Sequence, residues 1–401
     1  MPEFLSGKSE KKVEYLELIY DLIFVYIIGR NNSLLHLLQD GFIRPGAYLT
    51  YLCTTLIVLQ IWFYTTLFIN RYGTNGLAEH IATFINMYLL YYMADSTRAN
   101  WDALYVRYNA AWALILLNLA VQYAIKLKKS GGLMPWEDAH LKLHMRILLA
   151  QSALILATIP LHTATGLPLA FVTVPLAMIA FALADRVNRL VLVDFPHLTE
   201  RVMLYVVFTF GEMIIGIAGY FEGGFGFRSV YFSLMGFLIV VGLFVSYGFM
   251  YDHLLDRHRK TTGTGYMFLH IFLIAALSNI TVALEFMQEA QVAVVPKHVF
   301  LVASLLVYFF FLFMTEIYAK VRLEQNRRFL AMLLVIFALF IVLMAVLYRN
   351  AVASIALTVA FIYALYFLIF AYWRKLRLLE DDPPDDETEP LSHTNETQET
   401  L

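Results

Sequence analysis

Apolar stretches of about 20 residues recur from one end of this chain to the other, broken by short clusters of charge or by Gly and Pro. A hydrocarbon core about 30 Å thick needs about 20 such residues per helix, so the pattern constrains the chain to a polytopic membrane bundle. Twelve segments meet the requirement, near 15–38, 47–69, 79–97, 101–127, 140–161, 168–188, 199–221, 229–255, 263–288, 298–321, 327–349 and 350–373. Leu, Phe, Ile, Val and Ala fill them without the two-residue alternation of a membrane barrel, which predicts an all-α fold. Composition agrees, since 60% of the 401 residues are hydrophobic and only 15% are charged, too few for a soluble surface. A single cysteine, Cys53, excludes a disulfide framework within the chain, and a formal net charge of -2 offers nucleic acid no bulk attraction.

The positive-inside rule orients the bundle. With a cytoplasmic N-terminus, the loops on that side carry Lys8, Lys11, Lys12, Arg71, Lys126, Lys128, Lys129, Arg257, Arg259, Arg374 and Arg377 among others. The opposite side has only Arg44, Arg98, Arg228, Lys297 and Arg349. Twelve spans with both termini in the cytoplasm are therefore expected. The start is short and polar, and the first apolar segment contains Glu17 and Asp21, unlike a cleaved signal peptide. The end is acidic and rich in Pro, Thr and Glu, as a disordered tail would be.

Polar residues recur at matched intervals, which predicts two six-helix repeats. Glu17 and Glu200 each open a span, 183 apart, while Asn70 and Asp252 each close the next one, 182 apart. His80 and His270 then stand early in the third span of each half, and Asp95 and Glu285 near its far end, both pairs 190 apart. Six is even, so the halves run in the same sense, as in parallel-repeat transporters. The expected organisation is a cytoplasmic segment 1–14, a first transmembrane repeat 15–195, a second 196–373, and an acidic cytoplasmic tail 374–401.

Ionisable groups within spans are costly, so each needs a partner, water or a function. Glu17 and Asp21 are four apart and share one helix face, where they can share a proton or bind a cation. Alternatively, Glu17 favours the helix N-terminus and Asp21 pairs with a neighbouring base. Arg30 lies on the opposite side of that helix and is expected to snorkel outward or to meet an acid such as Asp95 or Glu212. Glu200 can cap the seventh span, whereas Glu212, about 18 Å further in, must belong to an ion path or a buried ion pair. A histidine and an acid at opposite ends of one face, His80 with Asp95 and His270 with Glu285, suit a proton relay, though packing histidines would look the same. His140, His144, His253 and His258 read as solvated loop positions, and no metal site is expected. No nucleotide-binding or hydrolase motif is present, so no cofactor is expected either.

Several of these residues lie in strings that resemble a known family. Tyr15-Leu-Glu17-Leu-Ile-Tyr-Asp21-Leu-Ile-Phe-Val resembles the opening signature L-E-L-F-F-D-L-V-F-V of the bacterial low temperature requirement protein A family. Thr66-Leu-Phe-Ile-Asn70-Arg71-Tyr72-Gly-Thr74 is similar to its T-x-x-x-N-R-F/Y-x-T stretch. His197-Leu-Thr-Glu200-Arg201, then Phe210-Gly211-Glu212, are similar to its H-x-x-E-R and L-G-E-S elements, with Met213 in place of the serine. Tyr266-Met-Phe-Leu-His270 matches its Y-x-x-x-H. The resemblance implies a multi-pass protein of the bacterial plasma membrane linked to growth in the cold. The functional expectation is a proton- or cation-coupled secondary transporter or ion pathway rather than an enzyme. The alternatives are a membrane enzyme acting on lipids and a chaperone or sensor whose buried ion pairs are structural. Expected partners are the lipid bilayer and a small ion or small-molecule substrate.

Overall fold

The computed structural model describes residues 11–95, 101–129, 134–219, 226–320, 323 and 326–381. The first ten residues of the N-terminal segment and the acidic tail beyond Asp381 lie outside the described residues. The chain folds as α1 (Tyr15–Asn32), α2 (Pro45–Tyr72), α3 (Leu77–Asp95), α4 (Trp101–Lys129), α5 (Pro135–Thr165), α6 (Thr173–Leu183), the single turn α7 (Asp185–Asn188), α8 (Phe195–Ala218), α9 (Phe227–Phe249), α10 (Thr264–Gln288), α11 (Val294–Met314), α12 (Arg327–Leu347) and α13 (Ala351–Asp381). Each of the twelve apolar segments carries one of the longer helices. Among the described residues, nine helices are long and apolar enough to cross a membrane, which makes this a multi-pass helical membrane protein.

Besides the single turn α7, three helices lie outside that set, for visible reasons. Helix α1 is 18 residues long and carries Glu17, Asp21 and Arg30. Helix α3 is 19 residues long, with Glu79 in its first turn and Asp95 at its end. Helix α6 has 11 residues, preceded by a 3-10 turn over Leu169–Val172. The first apolar segment also ends sooner than its composition suggests. After α1 the chain makes a 3-10 turn, Ser33–His36, and a small hairpin pairing Leu38–Gln39 with Phe42–Ile43. Asp40 and Gly41 supply the two positive φ angles, 51° and 80°, that a two-residue hairpin turn of matching twist requires. At the other end, α13 continues past Arg374 to Asp381, so the segment expected to be irregular from 374 begins as helix.

Proline starts three of the helices cleanly, at Pro45, Pro135 and Pro196 in the first turn, where the missing N–H has no intrahelical partner to lose. Helices α1 and α8 stand at the centre. Helix α1 packs on α2, α3, α8 and α10, and α8 packs on α1, α2, α9 and α10. Helix α4 packs on α3 and α5, α10 on α11, and α13 on α9 and α12. Coverage follows position: the most apolar window of α2 is 78% buried, that of α12 only 17%. Helix α12 therefore presents its side chains to lipid, where burial against protein gains little. The seam between α1 and α8 is where the polar residues collect.

Candidate functional site

Helix α1 places Glu17 and Asp21 one turn apart on the face that meets α8. Helix α8 answers with His197 and Arg201, also one turn apart. The Arg201 guanidinium is fully buried and donates from Nη1 to Glu17 Oε2 at 2.8 Å, from Nη2 to Asp21 Oδ1 at 2.9 Å and from Nε to Asp21 Oδ2 at 3.0 Å. The Asp21 contact is the bidentate fork that arginine alone can make. Trp62 Nε1 on α2 donates to Asp21 Oδ1 at 3.0 Å, and the Trp62 ring lies against Tyr205 with centroids 4.5 Å apart. Two carboxylates from α1 are thus held by one cation from α8.

The histidine beside them is neutral, and its surroundings say why. Asn70, near the end of α2, donates from Nδ2 to the Asp194 carbonyl at 2.8 Å and accepts on Oδ1 from the Asp194 N–H at 2.9 Å. Those two bonds fix which way the amide points. Its Nδ2 then donates to His197 Nδ1 at 2.9 Å, so Nδ1 is an acceptor and the ring proton sits on Nε2, 3.3 Å from Glu17 Oε1. The same Asp194 caps α8, its carboxylate accepting from the His197 N–H at 3.2 Å. This corrects the expectation that Glu200 caps the helix: α8 starts at Phe195, which leaves Glu200 exposed on the second turn. With His197 neutral, two ionised carboxylates face one guanidinium. The cluster has one negative charge in excess, which gives it the capacity to take one proton or one monovalent cation.

A cavity of about 290 Å³ opens onto Glu17 at the N-terminal end of α1. Lys11, Tyr20, Glu79, His80 and Gln122 line it with Glu17. His80 bonds through Nε2 to Asn75 Oδ1 at 2.6 Å, and the Glu79 carboxylate receives the N–H groups of Thr74 and Asn75 at the start of α3. Arg71, next to Asn70, turns away from the cluster. Its Nη1 meets His140 Nε2 at 3.1 Å and its Nη2 donates to the Thr262 carbonyl at 2.9 Å. His140 and His144 are buried and stacked with centroids 4.0 Å apart, contrary to the reading of a solvated loop edge. Helix α5 begins at Pro135, which carries both rings inside the bundle, within reach of Arg71 and Tyr72.

The remaining predicted residues lie elsewhere. Glu212 is half-buried against Gly29 of α1, where a Cβ would overlap its carboxylate. Glu285 lies over Gly216 of α8 and bonds His36 Nε2 at 3.0 Å, while His36 Nδ1 meets Glu289 Oε1 at 3.3 Å. The bond and charge of Glu285, with the charge of Glu289, raise the His36 pKa above its ordinary value against the opposing effect of burial. His270 is buried on α10 between the Tyr266 carbonyl, at 2.8 Å from Nδ1, and the Tyr247 hydroxyl, at 3.2 Å from Nε2. Its surroundings therefore differ from those of His80, with which the expected repeat pairs it. Asp252 is exposed and pairs with Arg257 at 3.2 Å, and Arg30 and Asp95 are exposed at the far ends of α1 and α3. Lys11, His36, Trp62 and Tyr20 were not singled out by sequence, because a terminal lysine and scattered aromatic residues carry no spacing signal.

The family model of bacterial low temperature requirement A protein (LtrA) matches residues 12–366. The chain belongs to the low temperature requirement A family. No curated protein matches it. In this member of the family the match takes in every group of the ion cluster, from Glu17 and Asp21 through Trp62 and Asn70 to His197 and Arg201, whereas Lys11 stands just before it.

Proposed function

We propose that the protein is a proton- or cation-coupled secondary carrier of the bacterial plasma membrane, supporting growth at low temperature, with the Glu17–Asp21–Arg201 cluster as its coupling site. The observation that carries this reading is a buried cluster one positive charge short of neutrality, at the seam of the two halves and open to a cavity on one side. In this reading twelve spans form two parallel repeats, 15–195 and 196–373, with both termini cytoplasmic. The pairings α1–α2, α1–α3 and α3–α4 reappear as α8–α9, α8–α10 and α10–α11, which supports the repeat. The cavity then faces the cytoplasm, with His80 at its entrance, and Glu212 and Glu285 stand near the outer end.

Binding of a proton or cation at Glu17 weakens its hold on the Arg201 Nη1 and leaves the guanidinium with Asp21 alone. Helices α1 and α8 are then free to shift against each other, which exchanges access between the two sides. Reconstituted into liposomes with a pH-sensitive dye, the wild type should pass protons or a coupled cation under an imposed gradient, and Glu17→Gln and Asp21→Asn should abolish the flux. Unchanged flux in both variants sinks the proposal. The complete pairing of the cluster favours a second reading, a structural clasp between halves, in which the same substitutions lower thermal stability and no flux is seen in any form of the protein.

A further inference from the structure

We propose that the cavity above Glu17 is a binding site for a monovalent cation or a small primary ammonium ion, and that Lys11 occupies it here as a tethered stand-in. The segment before α1 is strapped across the cavity by two bonds. The Lys11 N–H donates to Asp194 Oδ2 at 3.3 Å, and its Nζ donates to the Ile69 carbonyl near the end of α2 at 2.6 Å. The ammonium rests beside Gly73, where a Cβ would come within 3.0 Å of it. Helix C-terminal carbonyls attract cations, and Glu17 attracts this one further.

The charge balance points the same way. Glu17, Asp21 and Arg201 leave one negative charge, and the Lys11 ammonium shares the cavity with Glu17 and feels its charge. Tyr20, 1% exposed, also lines the cavity. A wall offering a carbonyl and a carboxylate suits a singly charged ion held through oxygen. Among the described residues no group of three or more His, Cys, Asp and Glu is placed to hold a metal ion, so the site is not one for a transition metal. Burial lowers the Lys11 pKa from the ordinary lysine value in spite of Glu17. The ammonium is therefore held at a cost, and a soluble cation can compete with it.

This inference deepens the carrier reading and rests on it only for the charge deficit of the cluster, not for transport. The test is thermal unfolding of the full-length protein in nanodiscs, in methylammonium chloride against an equal concentration of tetramethylammonium chloride, whose cation has no N–H to donate to the Ile69 carbonyl. Wild type and Lys11→Arg should unfold at the same temperature in both salts. Lys11→Met and Lys11→Gln should unfold several degrees higher in methylammonium, because a ligand that binds only the folded state stabilises it, and adding Glu17→Gln should remove the gain. No methylammonium-specific gain in either Lys11 variant, or an equal gain in the wild type, overturns the proposal. A gain in those variants from a protein that passes no flux leaves the site standing and the carrier reading refuted. Flux that depends on Glu17, with no methylammonium gain, does the reverse.

Discussion

Two acidic clusters stand near opposite ends of the α1–α8 seam and differ in how their charge is met. At the one near the start of α1, Glu17 and Asp21 face a guanidinium with no exposed surface, and every carboxylate oxygen has a donor. At the other, Glu285 and Glu289 flank His36, whose side chain is 38% exposed, and Glu212 feels the Glu285 charge. A neutral imidazole can donate from only one nitrogen, so with a carboxylate at each nitrogen this ring is fully bonded only when protonated. The Arg201 cluster holds a permanent cation in low dielectric, and the His36 cluster a conditional cation in contact with water. Burial and the choice of arginine or histidine, rather than the number of acids, separate a clasp from a titrating contact.

The comparison breaks most easily at Arg201. Arg201→Gln strands two buried carboxylates and should cost about 3–5 kcal/mol of stability, read from denaturant or thermal unfolding in detergent. Combining it with Glu17→Gln and Asp21→Asn should recover most of that loss, because the penalty comes from unpaired charge. A triple variant no more stable than the single one would show that the clasp is held by shape instead. Trp62→Phe keeps the packing on Tyr205 and loses one bond to Asp21, so a loss of about 0.6 kcal/mol, and at most about 1.7 kcal/mol, is expected.

The His36 cluster gives the smallest effect, and that effect depends on pH. Because the folded-state pKa of His36 lies above the ordinary 6.5, its contribution is fully present below that value and is lost as pH rises through the higher folded-state pKa. Screening by water should hold the change below about 1 kcal/mol. The melting temperature of the wild type should therefore fall further than that of His36→Asn as pH is raised above 6.5, while identical profiles would mean that the imidazole does not bind its proton more tightly when folded.

The fold was legible from sequence wherever a run of residues was enough. All twelve apolar segments carry helices, and Glu17 and Asp21 share a face because an interval of four residues, about one turn, is a local property. The site was legible only as a list. Asn70, His197 and Arg201 were marked by the family strings, but nothing in those strings says that Asn70 sets the His197 tautomer. By sequence His140 and His144 stand at a loop edge and read as solvated, whereas Arg71 and Tyr72, about 70 residues away, bond His140 inside the bundle and His144 stacks on it. Lys11 looked like one more cytoplasmic positive charge, and its place in the cavity depends on where α2 ends.

The sequence by itself determined that the chain crosses a membrane many times as helices, because lipid demands internally bonded backbone and a countable length of apolar residues. Only the tertiary structure decided which charges meet. Arg201 and Glu17 are 184 residues apart, and whether they touch depends on how two helices are rotated about their axes and set against each other, which local spacing does not encode.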